Sequence, residues 1–161
     1  MNHPLKRTLF AVAAAAAMLS AAHAAAPMVK SPAPGFFRIM VGDIEVTPIN
    51  DGTVDLPVDQ LLHQKPELTR ATLEKNHLKV PLETSDNTYL INTGSKLVLV
   101  DTGAGALFGP TVGKFLQNLK AAGYQPEQID EIYITHLHGD HVGGLVRDGQ
   151  RTFPNAVVRA G

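Results

Sequence analysis

The stretch Thr135-His136-Leu137-His138-Gly139-Asp140-His141-Val142-Gly143-Gly144 constrains this chain more than any other. Three of its seven histidines fall within six consecutive positions, and an aspartate directly precedes the last of them. Imidazole and carboxylate are ligand types that zinc, iron and manganese accept. The run Ile129-Asp130-Glu131-Ile132-Tyr133-Ile134, rich in β-branched and aromatic residues, reads as a buried strand that feeds the motif. In an extended segment His136 and His138 project to the same side, so both can grip one ion. Gly139 permits a sharp turn, which would carry Asp140 and His141 towards a second ion beside the first. Residues 142–145 read as the opening of a short helix. The competing reading, three surface histidines in a turn, is opposed by their spacing, their order and the strand before them.

Several further stretches accompany the motif: Gly35-Phe36-Phe37-Arg38, Val41-Gly42-Asp43-Ile44-Glu45-Val46, Asp51-Gly52-Thr53-Val54-Asp55-Leu56-Pro57, Gly94-Ser95-Lys96-Leu97-Val98-Leu99-Val100-Asp101-Thr102-Gly103 and Leu119-Lys120-Ala121-Ala122-Gly123-Tyr124-Gln125-Pro126-Glu127-Gln128. With His136-x-His138-x-Asp140-His141 after a hydrophobic strand, the chain resembles the metallo-β-lactamase-fold hydrolases. Within them it is similar to the secreted methyl parathion hydrolases and quorum-quenching lactonases, from about Gly35 to the last residue. The resemblance implies two divalent metal ions, zinc being the expected identity. His136 and His138 would hold one, Asp140 and His141 the other, with a hydroxide between them. Asp140 would also be catalytic, receiving or relaying the nucleophile's proton. Asp101 would hold the histidine loop through hydrogen bonds without binding metal; a turn-capping aspartate or a direct ligand are its alternatives.

Residues 1–24 read as a signal peptide. Lys6 and Arg7 form a positive start, residues 9–19 an apolar alanine-rich stretch, and Ala22-His23-Ala24 a small-x-small cleavage site. The apolar run is short for a transmembrane span. A periplasmic or secreted protein is therefore expected, and the absence of cysteine suits export and excludes a thiolate ligand or nucleophile. Residues 25–34, with Pro27, Pro32 and Pro34, read as a linker. Residues 35–161 are then the domain. Its composition, 44% hydrophobic and 18% charged for the whole chain, suits one globular unit. A net charge of −1 gives no reason to expect nucleic acid or an anionic membrane as partner. The expected partners are a small-molecule ester, lactone or phosphotriester substrate and a second copy of the chain in a homodimer.

Within the domain, residues 36–41 and 44–49 read as a hairpin turning at Gly42-Asp43, and Asn50-Asp51-Gly52 as a break. Pro66 suits the start of a helix reaching about His77. His63 and His77 lack a second donor at ligand spacing and read as surface residues. Residues 88–92 and 96–100 form the clearest hairpin, the second strand apolar enough to be covered on both faces. Phe108 sits in a glycine-rich loop and faces either a pocket or the core. Val112, Phe115, Leu116, Leu119 and Ala122 make one helical face between Pro110 and Gly123. Residues 156–159 form a last short strand. The fold class is α/β (α+β), the order matching the first half of an αββα sandwich.

No histidine follows His141, and Asp148 is the only later acid. The resembled family supplies two more histidines and a bridging aspartate from later sequence. The chain thus reads as the N-terminal part of a larger fold, with little or no activity alone. For the complete protein the expectation is a metal-dependent hydrolase acting on a lactone or organophosphate ester. A glyoxalase II-like thioesterase shares the motif, and a non-catalytic, truncated metal-binding remnant is the third reading.

Overall fold

The computed structural model describes residues 26–161. The signal-peptide reading lies outside them. Residues 26–33 belong to a separate unit and carry no regular secondary structure. Among the described residues no helix is long and apolar enough to cross a membrane.

The unit from Pro34 onward is built on one six-stranded sheet. Strand β1 (Ile39–Val41) turns through Gly42 into β2 (Ile44–Leu56). Two short helices follow, α1 (Val58–Leu61) and α2 (Pro66–Lys75), the second with proline in its first turn. Then come β3 (Leu82–Asn92) and β4 (Leu97–Val100), a glycine-rich connection, and helix α3 (Phe115–Ala121). Strand β5 (Glu131–Ile134) leads into the histidine motif, whose second half is the single turn α4 (Gly139–Val142). A small hairpin, β6 (Val146–Arg147) and β7 (Gln150–Arg151), precedes β8 (Val157–Ala160). The order across the sheet is β1-β2-β3-β4-β5-β8, antiparallel as far as β4 and parallel from β4 to β8.

Period-2 alternation sorts the strands by face. Leu90, Leu99 and Ile132 are register partners across β3, β4 and β5 and are all buried. Against them α3 lays Phe115 and Leu119, and Phe153 closes the layer at 6.1 Å from the Phe115 ring. Burying such side chains is worth about 1.5–3 kcal/mol each before entropy is subtracted. The opposite row, Tyr89, Val100 and Tyr133, is only partly covered. Strand β4 is therefore covered fully on one face and partly on the other, not on both as its composition implies.

Two boundaries differ from the sequence reading for a shared reason. Residues 50–52 do not break the strand: β2 continues through them with a register shift between Asn50 and Gly52. Asp51 is the extra residue of this bulge, and bulges re-aim side chains. The helix after the glycine-rich loop starts at Phe115 and not near Pro110, because Gly113 takes a positive φ and its N–H is drawn to Asp51.

The parallel pairing of β4 with β5 positions the site. Parallel neighbours end on the same side, so Asp101 after β4 and Thr135 after β5 emerge beside one another. The crevice beyond strand carboxyl ends is the usual ligand position in such sheets.

Candidate metal centre

Asp101 is the pivot. It is nearly buried and takes a left-handed backbone conformation, φ 60°, uncommon outside glycine, asparagine and aspartate. Its N–H donates to Tyr133 O at 2.9 Å, which ties the end of β4 to β5. Its Oδ1 accepts the Thr135 N–H at 2.8 Å. Its Oδ2 accepts the Thr135 hydroxyl at 2.8 Å and meets His141 Nδ1 at 2.8 Å. Burial pushes this carboxyl up, but the Thr135 N–H, His141 and the Thr135 hydroxyl together hold it below the usual carboxylate range.

Proton accounting then assigns the histidines. An ionised Asp101 only accepts, so His141 carries a proton on Nδ1, and in the neutral ring Nε2 is then the nitrogen with a lone pair. Thr135 gives its single hydroxyl proton to Asp101, so it accepts from His136 Nδ1 at 3.1 Å, and in the neutral ring the lone pair of His136 is likewise on Nε2. These two free nitrogens face other donors of the motif. His136 Nε2 lies 3.1 Å from His138 Nδ1, the rings meeting edge-on at 75°. His141 Nε2 lies 3.4 Å from Asp140 Oδ2. The latter contact sets a lone pair against a carboxylate oxygen, an arrangement that asks for a cation or proton between them.

Two ligands of a tetrahedral zinc at 2.0–2.1 Å are separated by roughly 3.3 Å. Both donor pairs lie close to that separation, and their chemistry, three imidazoles and a carboxylate, suits a divalent ion. The residues fit the metal that the motif implies. They fit it as two pairs: among the described residues no group of three or more His, Asp or Glu converges as a ligand set. His136 and His138 are exposed and His141 partly buried, so a ligand can reach them.

The motif is anchored from behind as well. Thr102 donates its N–H at 2.8 Å and its hydroxyl at 2.9 Å to His141 O. Gly144 N–H donates to Gly103 O at 3.0 Å. Gly143 and Gly144 are glycine because the two backbones touch: an added Cβ would lie 2.1 Å from Ala104 O and 2.0 Å from Thr102 O respectively. Phe108 is not core. It is half-exposed over the turn, and a Cβ on Gly139 would meet its Cε2 at 3.1 Å. His63 and His77 are exposed and take no part.

Residues 83–158, from β3 through the motif to β8, match the model of the metallo-beta-lactamase superfamily. The chain carries a metallo-beta-lactamase superfamily domain. The solved structure of hydrolase AbOPH, described as in the beta lactamase superfamily, superposes with a TM-score of 0.74 at 40% identity, covering 80% of this chain. AidC, a dizinc quorum-quenching lactonase solved with a product, gives 0.72 at 29% identity over 77%. A beta-lactamase-like protein 2 homolog of Caenorhabditis elegans is 47% identical over 60 residues, 37% of this chain. The chain spans 45% and 44% of the two solved structures and 19% of the nematode protein. The superfamily consists generally of hydrolases.

Sequence reasoning missed two residues near this site. Asp86, on β3, has an Oδ2 with no hydrogen-bond partner. Burial first, then Asp51 and Asp140, push its carboxyl up to about 6. Asp51 is wholly buried in the β2 bulge and makes more contacts to this region than any sequence pattern implies. Only the Asn50-Asp51-Gly52 break hints at either.

Proposed function

We propose that the complete protein is a metal-dependent hydrolase of a lactone or organophosphate ester. The observation that carries this reading is the pair of donor sets, His136 with His138 at 3.1 Å and Asp140 with His141 at 3.4 Å, with His141 held by a buried aspartate and His136 linked to it through Thr135. His136 and His138 would hold one divalent ion, zinc in first place, and Asp140 and His141 a second. Such ions, when bound, polarise the ester oxygen and lower the pKa of water at the site. The chain's own residues do the rest. Asp101 fixes the tautomers of His141 and, through Thr135, of His136. Asp140, the one carboxylate among the four donors, would take the nucleophile's proton. Phe108 and Leu107 screen one side of the turn from solvent and offer an apolar wall to the substrate. The likeness to AbOPH supports a hydrolase and that to AidC a lactone substrate, and residues 1–24 support a periplasmic or secreted location.

Two protein donors per ion are fewer than the three of catalytic zinc sites, so activity is proposed for the whole protein and not for these residues alone. The test is hydrolysis by full-length protein of a lactone, an aryl phosphotriester, a thioester and a β-lactam, with and without chelator. Chelator-sensitive turnover fastest on lactone or phosphotriester is expected. A fastest thioester would move the reading to a glyoxalase II-like enzyme, and no turnover of any would leave a non-catalytic metal-binding chain.

A further inference from the structure

We infer that Asp51 is a positioning residue of the metal centre, holding the histidine loop from behind through the backbone of residues 102–105; this rests on the metal-dependent reading above. Asp51 is wholly buried, yet no Lys, Arg or His side chain hydrogen-bonds to it among the described residues. An ionised group in such a place must be satisfied by donors, and three backbone N–H groups do this. Oδ1 accepts from Phe115 at 2.8 Å; Oδ2 accepts from Ala104 and from Gly113, each at 3.0 Å. Its own carbonyl accepts the Lys114 N–H at 2.9 Å.

A helix cap would account for Oδ1 alone, because Phe115 opens α3. It does not account for Oδ2, which binds the chain 53 residues along at Ala104, immediately beyond Asp101, Thr102 and Gly103. Those four residues are buried without interruption. Gly103 has no room for a side chain: with φ 76°, a Cβ there would lie 2.7 Å from the Asp51 carboxyl carbon. On its far side the same short segment is the surface on which the motif rests. Thr102 holds His141 O, Gly103 O holds Gly144 N–H, and Ala104 O lies against Gly143. The segment is thus clamped between Asp51 behind and residues 141–144 in front. Asp101 orients the histidine rings; Asp51 sets the platform that fixes where the loop stands. Supporting groups beyond the ligands are commonly worth 10- to 100-fold in metal affinity or activity.

The test compares wild-type full-length protein with Asp51→Asn, which keeps shape but sets an amide N–H₂ against N–H donors. Two readouts are taken below both unfolding transitions: amide hydrogen exchange of the metal-free proteins, and Zn²⁺ affinity with the visible spectrum of the Co²⁺ forms. The expected result is exchange at least about 10-fold faster at 139–144 relative to β3 and β4, Zn²⁺ affinity weaker by about 10- to 100-fold, and an altered Co²⁺ spectrum. Faster exchange confined to the first turn of α3, with unchanged affinity and spectrum, would overturn the proposal in favour of a plain cap. Wild-type protein that binds neither metal would sink the metal-dependent reading itself, while exchange in the metal-free proteins would still decide whether Asp51 positions the loop. Should Asp51→Asn not accumulate as folded protein, Asp51→Glu keeps the charge, moves the acceptors by one methylene, and is judged by the same readouts.

Discussion

The two ends of β5 gather charged and polar groups and settle them in opposite ways. At its start, Glu131 is nearly buried and is surrounded by the protein's own donors: Lys96, the Tyr133 hydroxyl at 2.9 Å and Arg159 at 3.1 Å. Lys96, Tyr133 and Arg159 hold its carboxyl at about 2. Just past its other end lie three histidines and two aspartates, with no Lys or Arg in hydrogen-bonding contact among the described residues. His141 Nε2 faces Asp140 Oδ2 at 3.4 Å, with no other cation beside them among the described residues. A cluster that contains its own cations is complete and structural. A cluster of imidazoles and carboxylates alone, at the exposed carboxyl ends of parallel strands, is what the proposed metal-dependent reading requires. One four-residue strand carries both, so the contrast lies in composition and not in fold.

The contrast can be broken most forcefully at the ligands. His136→Ala in the full-length protein is expected to reduce hydrolysis to background and to abolish uptake of one ion, measured by kcat/KM and metal content; retention of both would remove His136 from the site. Next comes the strand that joins the ends. Ile132→Ala empties a fully buried position and should destabilise the fold by about 2–5 kcal/mol in chemical denaturation, with both clusters disturbed together. A smaller effect is expected of Asp101→Asn, which sets an amide where His141 Nδ1–H and Thr135 now donate. Activity or Zn²⁺ affinity should fall about 10- to 100-fold with little change in thermal stability.

Glu131→Gln probes the other end and should leave metal binding untouched. Its folded pKa, about 2, lies below the ordinary 4.5, so its stabilisation is present above pH 4.5 and is lost as pH falls through 2. The variant's melting temperature should therefore lie below wild type at neutral pH, with the gap closing between pH 4.5 and 2. Asp86→Asn is expected to do least, and with the opposite sign. Asp86 rises from 3.8 to about 6; its favourable state is present below 3.8 and lost as pH rises through 6. In the metal-free chain the variant should melt above wild type at pH 8 and level with it at pH 4.

The residues gathered at the candidate site were legible in sequence because each belongs to a local pattern. His136-x-His138 in an extended segment fixes a common side, Gly139 fixes the turn, and Asp101 ends an apolar run beside the strand that feeds the motif. The amphipathic face of α3 was legible for the same reason, although its start was not. Asp51 was not legible. Its partners lie 53 to 64 residues away, and a carboxylate bound to backbone N–H groups leaves no mark on the identity of those residues. Asn50-Asp51-Gly52 carries turn chemistry, so a strand running through it as a bulge is invisible until β3 is seen pairing on both sides. Asp86 escaped because an acid on a polar strand resembles any solvated one.

Anomalous diffraction at the zinc edge, from crystals of the full-length protein grown with Zn²⁺, tests the central claim most directly. Two peaks are expected, one touching His136 Nε2 and His138 Nδ1, the other touching Asp140 and His141 Nε2, with Asp101 outside both. Peaks absent from the motif, or a zinc bound to Asp101 itself, would contradict the account.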